Sequence, residues 1–199
     1  LTGTVNMQAG YQINGVQLSA VMGPNAELEV GGLTGFISNQ ISLATPDIGG
    51  TMKLTVLTAK GNDQSIVTTR GLAPNASGVT VTVPAAPSAI SPADATTGVT
   101  NATQFTWSGT PNAVHVVTFY SFGGAFLGYF QVVTTGTTAT IPDTSAYGLA
   151  LPKNEVMEWA VRAQGPLASI DDYATAPPAT PPAIENVGLA NAIQFTTAP

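Results

Sequence analysis

Apolar and polar residues alternate along most of the first half of the chain, in short segments that end at turn-forming residues. A period of two places successive side chains on opposite faces of an extended strand, so each segment is predicted to be a half-buried β-strand. The segments are separated by turn chemistry such as Pro46–Gly50 and Lys60–Asp63. The seven predicted strands are GTVNMQ, NGVQLSAVM, AELEV, GFISNQISLA, TMKLTVLTA, QSIVTTRGL and GVTVTVP. No stretch keeps apolar residues at helical spacing for three turns, so helix should be nearly absent.

A proline-rich stretch, PAAPSAISP at residues 84–92, separates this half from the next. It contains three prolines and no charge, which is typical of a short, semi-rigid linker. A chain of 199 residues is also long enough for two domains of about 100 residues each. We therefore predict a first domain over residues 1–84, a linker over 85–92 and a second domain over 93–199. Seven short strands with regular turns favour a β-sandwich for the first domain.

The second half contains motifs that resemble those of bacterial fibronectin type III and related Ig-like modules. It starts with SPADATTGVTNATQFTWSG (91–109), continues with EWAVRAQG (158–165) and closes on IQFTTAP (193–199). The matching positions are Phe105, Trp107, Trp159, Val161, Phe195, Thr196 and Thr197. The resemblance covers about residues 88–199, and the first half is weakly similar to Ig-like or carboxypeptidase-regulatory-like modules. It implies an all-β fold of two tandem antiparallel β-sandwich domains that serve spacing, display or binding and carry no fixed catalytic residues.

One long segment departs from that family pattern. Residues 166–188, PLASIDDYATAPPATPPAIENVG, stand between the sixth and the last predicted strand, where a short hairpin loop is usual. Loops longer than about 12–15 residues are usually functional or disordered. The prolines at 177, 178, 181 and 182 favour an extended path. By analogy with modules that use this loop for recognition, the insertion is a candidate contact surface.

Six of the fourteen aromatic residues of the chain fall within FYSFGGAFLGYF, residues 119–130. The segment is predicted to be a hairpin that turns at Gly123–Gly124 and places Phe119 opposite Gly128. Because Trp107 and Trp159 need an inner partner face, we assign the set that contains Tyr120 to the core. That set comprises Val116, Thr118, Tyr120, Phe122, Leu127 and Tyr129. The opposite set is predicted on the outer face and comprises His115, Val117, Phe119, Phe126, Phe130 and Val132.

This outer set would form an apolar stripe, which a solvated sheet face does not normally carry. Three explanations remain open. The insertion or the first domain covers the stripe, a protein partner or a second copy of the chain covers it, or a one-residue register slip exchanges the two faces. The residues predicted to contact a partner are Phe119, Phe126, Phe130, Val117, Val132 and the loop residue Tyr173.

Composition restricts the partners. Charged residues make up 8% of the chain against about 25% in typical domains, and the net charge is −6. With five basic residues in all and no Lys/Arg cluster, the chain cannot neutralise a run of phosphates, so we predict that nucleic acid is not a partner and that anionic membrane surfaces are poor partners. No apolar run reaches the roughly 18 residues of a membrane helix. We expect an exported protein, extracellular, periplasmic or on the cell surface. Its signal peptide, and the cysteine of a lipoprotein, would have been removed.

The sequence lacks the motifs that are typical of most enzyme classes. The chain has no cysteine and a single histidine, His115, which lies on a predicted strand and is interpreted as a structural imidazole. No G-x-S-x-G, H-E-x-x-H, Walker or G-x-G-x-x-G motif is present. We therefore predict no catalytic residues, no enzyme activity and no cofactor. The weak metal candidates are Asp171 and Asp172, whose carboxylates suit Ca²⁺.

Other carboxylates are scattered. Glu27 and Glu29 share one strand face and are interpreted as a solvated edge, while Glu155 and Glu158 begin the sixth strand of the second half. Glu158 and Arg162 are predicted on the outer face beside the stripe. A small hydrolase would need two carboxylates at a set separation, which remains a third hypothesis.

The sequence therefore favours an exported, non-catalytic surface, adhesion or protein-binding protein. The alternative is a carbohydrate-binding accessory module, for which the loop tyrosines Tyr147 and Tyr173 are the residues to test.

Overall fold

The protein is almost entirely β-structure in the computed structural model, which confirms the predicted all-β class. The structure describes residues 1–24, 26–121, 129–175 and 182–199, with their side chains except those of Phe36 and Ile37. In these ranges helical turns occur at Ser145–Tyr147 and at α1, Ile170–Ala174. The strands are β1 (Thr2–Met7), β2 (Gln12–Gly23), β3 (Ala26–Ile37), β4 (Gln40–Ser42), β5 (Thr51–Lys60), β6 (Asp63–Leu72), β7 (Val79–Val83), β8 (Ser88–Ser91), β9 (Thr96–Val99), β10 (Phe105–Ser108), β11 (Val114–Ser121), β12 (Tyr129–Thr134), β13 (Thr138–Ala139), β14 (Val156–Gly165), β15 (Ile184–Leu189) and β16 (Ile193–Thr197).

The chain divides into two compact units. Unit 1 comprises Leu1–Ala85 with Thr175–Gly188, and unit 2 comprises Ala86–Ala174 with Leu189–Pro199. Two contiguous domains were predicted from the sequence, and the two compact units differ from that prediction in two features. Strand β8 lies within the predicted linker, and the second part of the predicted insertion joins unit 1, where β15 lies beside β6. This pairing gives partners to backbone groups of β6 that would otherwise need solvent.

Unit 1 packs two sheets on one core. One sheet has the order β3-β2-β5-β6-β15, and the other has the order β4-β1-β7. Strand β5 shows why the sequence folds this way, since Met52, Leu54 and Val56 alternate with more exposed residues and all three are fully buried. They meet Val5 and Val81 of the second sheet in one apolar cluster.

All seven strands predicted in the first half are present, with boundaries that differ in the third and fourth. The third predicted strand, AELEV, ended at Val30, but β3 continues through Gly31 and Gly32 and is 12 residues long. Its pairing with β2 shifts between Leu18 and Ser19, so a β-bulge takes up the irregularity. Strands β1 and β7 pair in parallel, which departs from the wholly antiparallel arrangement that was predicted.

Unit 2 also packs two sheets on one core. Its larger sheet has the order β12-β11-β14-β16-β9, and the smaller one has the order β13-β10-β8. Strands β16 and β9 pair in parallel, while β11, β12 and β14 are antiparallel. The parallel pair is a second departure from the predicted antiparallel arrangement.

Aromatic rings fill the centre of unit 2. Phe105 of the smaller sheet makes edge-on contacts with Phe119, Trp159 and Phe195, at centroid distances of 4.7, 5.2 and 5.5 Å. All four rings are buried, together with Trp107. The five apolar residues that carry the sequence resemblance therefore lie in one core. Edge-on geometry is favourable for such rings and adds to their burial.

The predicted assignment of faces in β11 is wrong. Phe119 and Val117 are fully buried, Phe130 is 9% exposed, and Val132 packs against the same core. Tyr120 and Tyr129 lie on the opposite, outer face, and Tyr129 is 67% exposed. Among the described residues the predicted grouping of side chains holds, but the faces are exchanged. The physical reason is that a phenyl ring has no polar atom, whereas the Tyr120 hydroxyl needs a hydrogen-bond partner, which it finds outside the core.

The pairing register also differs from the prediction. Phe119 lies opposite Phe130 rather than Gly128, and Tyr120 lies opposite Tyr129. The difference is two positions, so it keeps each side chain on its own face and a one-residue slip is not the cause of the exchange. The predicted turn at Gly123–Gly124 and residues Phe122, Phe126, Leu127 and Gly128 lie outside the described residues.

Candidate functional site

Four polar or aromatic side chains form a line across the outer face of the larger sheet of unit 2. Tyr129 of β12 lies opposite Tyr120 of β11, Tyr120 lies opposite Glu158 of β14, and Glu158 lies opposite Gln194 of β16. Directly opposed residues on neighbouring strands point to the same face of a sheet. We call Tyr129, Tyr120, Glu158 and Gln194 the tyrosine row.

The carboxylate at the centre of the tyrosine row is held from both sides. The Tyr120 hydroxyl donates to one Glu158 oxygen at 3.0 Å, and the side-chain amide of Gln194 donates to the other oxygen at 2.9 Å. Hydrogen bonds to an ionised acceptor are stronger than those between neutral groups. Glu158 is therefore fixed in one orientation by groups that extend from two different strands.

The Tyr120 hydroxyl remains a hydrogen-bond donor over a wide pH range. Its partial burial raises the pKa of the phenol above its usual value of 10.0, and the hydrogen bond to Glu158 and the charge of that carboxylate act in the same direction. Each effect disfavours the phenolate, because an anion loses solvation on burial and is repelled by a neighbouring carboxylate.

Gln194 is positioned through its backbone as well as its side chain. Its N–H donates to a carboxylate oxygen of Asp94 at 3.0 Å, and its carbonyl accepts the N–H of Ala95 at 2.9 Å. The end of the tyrosine row is therefore anchored to the segment that precedes β9.

A second line of residues borders the tyrosine row. Gln131 of β12 lies opposite Thr118 of β11, and its side-chain amide donates to the Thr118 hydroxyl at 3.3 Å. Thr118 lies opposite Ala160, whose small side chain continues the line on β14. The bordering line adds amide and hydroxyl groups and no charge.

Apolar surface is present on the same face. The Tyr129 ring is 67% exposed, and Val156, two residues before Glu158 on β14, is 55% exposed. A cation on the same strand, Arg162, lies four residues beyond Glu158, about 13 Å along the strand. Its guanidinium donates to the side-chain oxygen of Gln164 at 3.0 Å. The tyrosine row thus combines an exposed ring, fixed polar groups and one carboxylate.

His115 lies beside an open cavity of about 580 Å³ in unit 2. The cavity is bordered by the segment Gly109–Ala113 and by Thr135, Thr137 and Leu167. The imidazole is 2% exposed, and its Nε2 accepts the backbone N–H of Thr110 at 3.1 Å. Within the described residues, Nδ1 has no partner of normal hydrogen-bond geometry.

The environment of His115 keeps the ring neutral. Burial lowers its pKa below the usual value of 6.5, and a backbone contact with Gly136 opposes this in part. Its ring lies 5.8 Å from the ring of Trp107. An imidazole whose Nε2 accepts a backbone hydrogen bond has no lone pair there for a substrate proton. The arrangement is consistent with the predicted structural role.

Asp172, the second residue of the acidic pair in the insertion, has a local structural role. One Asp172 oxygen accepts the N–H groups of Ala168 and Ser169 at 3.1 and 2.9 Å, and the Ser169 hydroxyl accepts the N–H of Asp172 at 3.1 Å. This reciprocal arrangement is a capping box at the start of α1. Across the described ranges, no three His, Cys, Asp or Glu side chains come close enough to hold a metal ion. A calcium role for Asp171 and Asp172 stays a prediction.

The remaining sequence-predicted residues are spread over both units. Tyr147 is 83% exposed at the end of its short helical turn, and Tyr173 is half-buried in α1. In unit 1, Glu27 pairs with Lys53, which holds the pKa of that carboxyl below its usual value, and Glu29 accepts the side-chain amide of Gln17 at 2.7 Å. In unit 2, the Ser121 hydroxyl donates to a carboxylate oxygen of Glu155 at 2.6 Å.

No protein-family model matches the chain, and no curated protein is significantly similar to it. Of the helices in the described part of the chain, none has the length and apolar character needed to cross a membrane.

Sequence reasoning missed the tyrosine row because it placed Tyr120 and Tyr129 in the core. A usable signal was present, since Glu158 and Arg162 lie one and three positions from Trp159 and were themselves predicted to face outward. Trp159 then faces inward, and its cross-strand neighbour Phe119 must face inward with it. Gln194 and Gln131 carried no comparable signal, because an isolated glutamine is common on any solvated strand.

Proposed function

We propose that the protein is an exported, non-catalytic binding protein and that unit 2 makes its contact through the tyrosine row. The observation that carries this proposal is the fixed Tyr120–Glu158–Gln194 line beside the exposed ring of Tyr129. Binding sites are commonly built from apolar and aromatic surface with a small number of fixed polar groups. A sheet positions these groups with little loss of conformational entropy on binding.

The same geometry favours binding over hydrolysis. Glycoside hydrolysis needs two carboxyl groups on opposite sides of the bond that is broken. The tyrosine row supplies one carboxylate, and each of its oxygens already accepts a hydrogen bond from a side chain. Glu158 is therefore suited to orient a bound hydroxyl or amide group rather than to transfer a proton.

The proposal includes modules of the fibronectin type III-like or Ig-like kind. Its support is the shared core of Phe105, Trp107, Trp159, Val161 and Phe195, which are five of the seven residues of the sequence resemblance. Such modules serve display and adhesion in exported proteins, and the low charge of this chain is in keeping with that setting. A surface or periplasmic location, with or without a lipid anchor, is part of the same proposal.

The test is a binding screen with one matched pair of variants. The fluorescently labelled protein is applied to arrays of glycans and of peptides, and self-association is measured by sedimentation velocity. Tyr129→Ala alters the exposed ring of the tyrosine row, whereas Tyr147→Ala alters an exposed ring elsewhere. We expect at least one interaction that Tyr129→Ala weakens about tenfold and Tyr147→Ala leaves unchanged. No interaction in any arm, or one that Tyr129→Ala leaves intact, would overturn the proposal.

A further inference from the structure

We infer that the tyrosine row binds a neutral oligosaccharide; this inference rests on the proposed function and names the ligand class for the same site. A sugar ring has an apolar C–H face and a rim of hydroxyl groups, each of which donates and accepts hydrogen bonds. A binding site for a sugar therefore needs an exposed aromatic ring. Next to that ring it needs hydrogen-bond donors and acceptors that can reach the hydroxyl groups of the sugar.

Tyr129 supplies the ring. It is 67% exposed, and it stands at the end of the tyrosine row beside Tyr120. Tyrosine presents an apolar ring face and a hydroxyl at its tip, so it can stack on a sugar and hydrogen-bond to its rim. Exposure of the apolar ring of Tyr129 to solvent is unfavourable, and hydration of its hydroxyl group offsets only part of that cost.

The neighbouring side chains supply donors and acceptors. A carboxylate offers about four acceptor positions, and two on Glu158 are occupied by Tyr120 and Gln194. The amides of Gln194 and Gln131 each have an oxygen that accepts and two N–H bonds that donate. Their existing hydrogen bonds, to Glu158 and Thr118, orient them before a ligand arrives.

The dimensions and charge of the site narrow the ligand. Four adjacent strands spaced about 4.8 Å apart separate Tyr129 from Gln194 by about 14 Å, which exceeds one sugar ring. The row contains no Lys or Arg, and the chain carries a net charge of −6, so acidic glycans are disfavoured. A basic peptide would have to bind to the single carboxylate of the row, which already has two hydrogen-bond partners. This contact would select a basic peptide less strongly than the ring and the amide groups would select a sugar.

The experiment is affinity electrophoresis of the whole chain in gels that contain soluble neutral polysaccharides, namely β-glucan, xylan, mannan and galactan. We expect retardation by at least one of them, with the same affinity in 0.05 and 0.5 M NaCl because the polysaccharide carries no charge. Tyr129→Ala should weaken binding about tenfold, and Tyr129→Phe should keep most of it because the ring remains. Tyr120→Phe, which frees one Glu158 oxygen, should weaken binding about threefold or more.

Controls separate this inference from the proposed function. Tyr147→Ala should bind like the unaltered chain, and urea unfolding of every variant is used to confirm that it is fully folded under the binding conditions. A basic peptide that binds through Tyr129 and is released by 0.5 M NaCl would overturn the glycan inference and keep the proposed function. Self-association that Tyr129→Ala abolishes would do the same. Retardation that Tyr129→Ala leaves unchanged, or none in any gel, would also overturn the inference.

Discussion

At the scale of single residues, the environment of each polar group decides its protonation and its role. Tyr120 and His115 lie on the same strand, and burial shifts the pKa of each away from the charged form, upward for the phenol and downward for the imidazole. The two shifts give opposite pH dependences. Both can be measured on the intact chain.

His115 should titrate below pH 6.5. Because the folded-state pKa is lowered, the unfolded chain takes up the proton first as pH falls, so stability is complete above about pH 6.5 and decreases below it. The chain has one histidine, so a ¹H NMR titration of the imidazole Cε1–H gives a single unambiguous curve. A midpoint at or above 6.5 would contradict the buried placement of the ring.

Tyr120 should lose its proton only above pH 10. Since its folded-state pKa is raised, its contribution to stability is complete below pH 10 and is lost as pH rises through the folded value. Glu158→Gln removes the neighbouring charge, so an ultraviolet titration should show the last phenol to ionise moving to lower pH. Glu29→Gln is the matched control, and an equal effect in both variants would argue against the Tyr120–Glu158 contact.

At the scale of elements, alternation predicted the strands well and α1 not at all. Strand β5 can be recognised from the sequence because Met52, Leu54 and Val56 alternate with the polar residues Lys53 and Thr55. The five-residue α1 is too short to show helical periodicity, and its start is set by the Ser169–Asp172 capping box. Such a box can be read from sequence only when a helical pattern follows it.

Asp172→Ala should therefore destabilise α1, whereas Asp171→Ala should not. Removal of a capping carboxylate costs about 1 kcal/mol, and a surface change without a capping role is worth less than about 0.5 kcal/mol. Urea unfolding of the two variants measures the difference. Equal stabilities would contradict the capping role of Asp172.

Strand β15 was not predictable from the local sequence, because it follows a proline-rich stretch and is held by distant residues. The N–H of Arg70 donates to the carbonyl of Ala183 at 2.8 Å, and the Arg70 guanidinium contacts Glu185 at 3.2 Å. Backbone amides of β15 should therefore exchange with solvent deuterium as slowly as those of β6. Exchange as fast as that of the exposed loop at Tyr147 would contradict the pairing.

At the scale of the whole molecule, the amino-acid composition predicts the chemical character of the surface. The pairing of strands and the packing of the core decide which side chains are exposed on it. Five basic residues and a hydroxyl- and amide-rich sequence predict weak phosphate recognition and favour aromatic and amide contacts. Alternation sorted Phe119 and Tyr120 onto opposite faces correctly, but a period of two does not say which face is inner. That choice follows from Trp159 and Phe105, which are far away in sequence and meet Phe119 in the core.

The exchange of faces also changes what the aromatic segment does. Phe119, Val117 and Phe130 stabilise the core of unit 2, so substitutions there act on folding. Tyr129 and Tyr120, which were predicted to be core, belong to the exposed tyrosine row. Residues outside the described ranges, including Phe126, carry no part of this account.

The most direct test compares the unfolding free energies of Phe119→Ala and Tyr129→Ala, measured by urea titration. Phe119 is fully buried, so its truncation should cost about 3–5 kcal/mol. Tyr129 is exposed, so its truncation should cost less than about 1 kcal/mol, most of it from the cross-strand contact with Tyr120. A Tyr129→Ala cost equal to or larger than that of Phe119→Ala would mean that the tyrosines face the core, and the proposed binding surface would be lost.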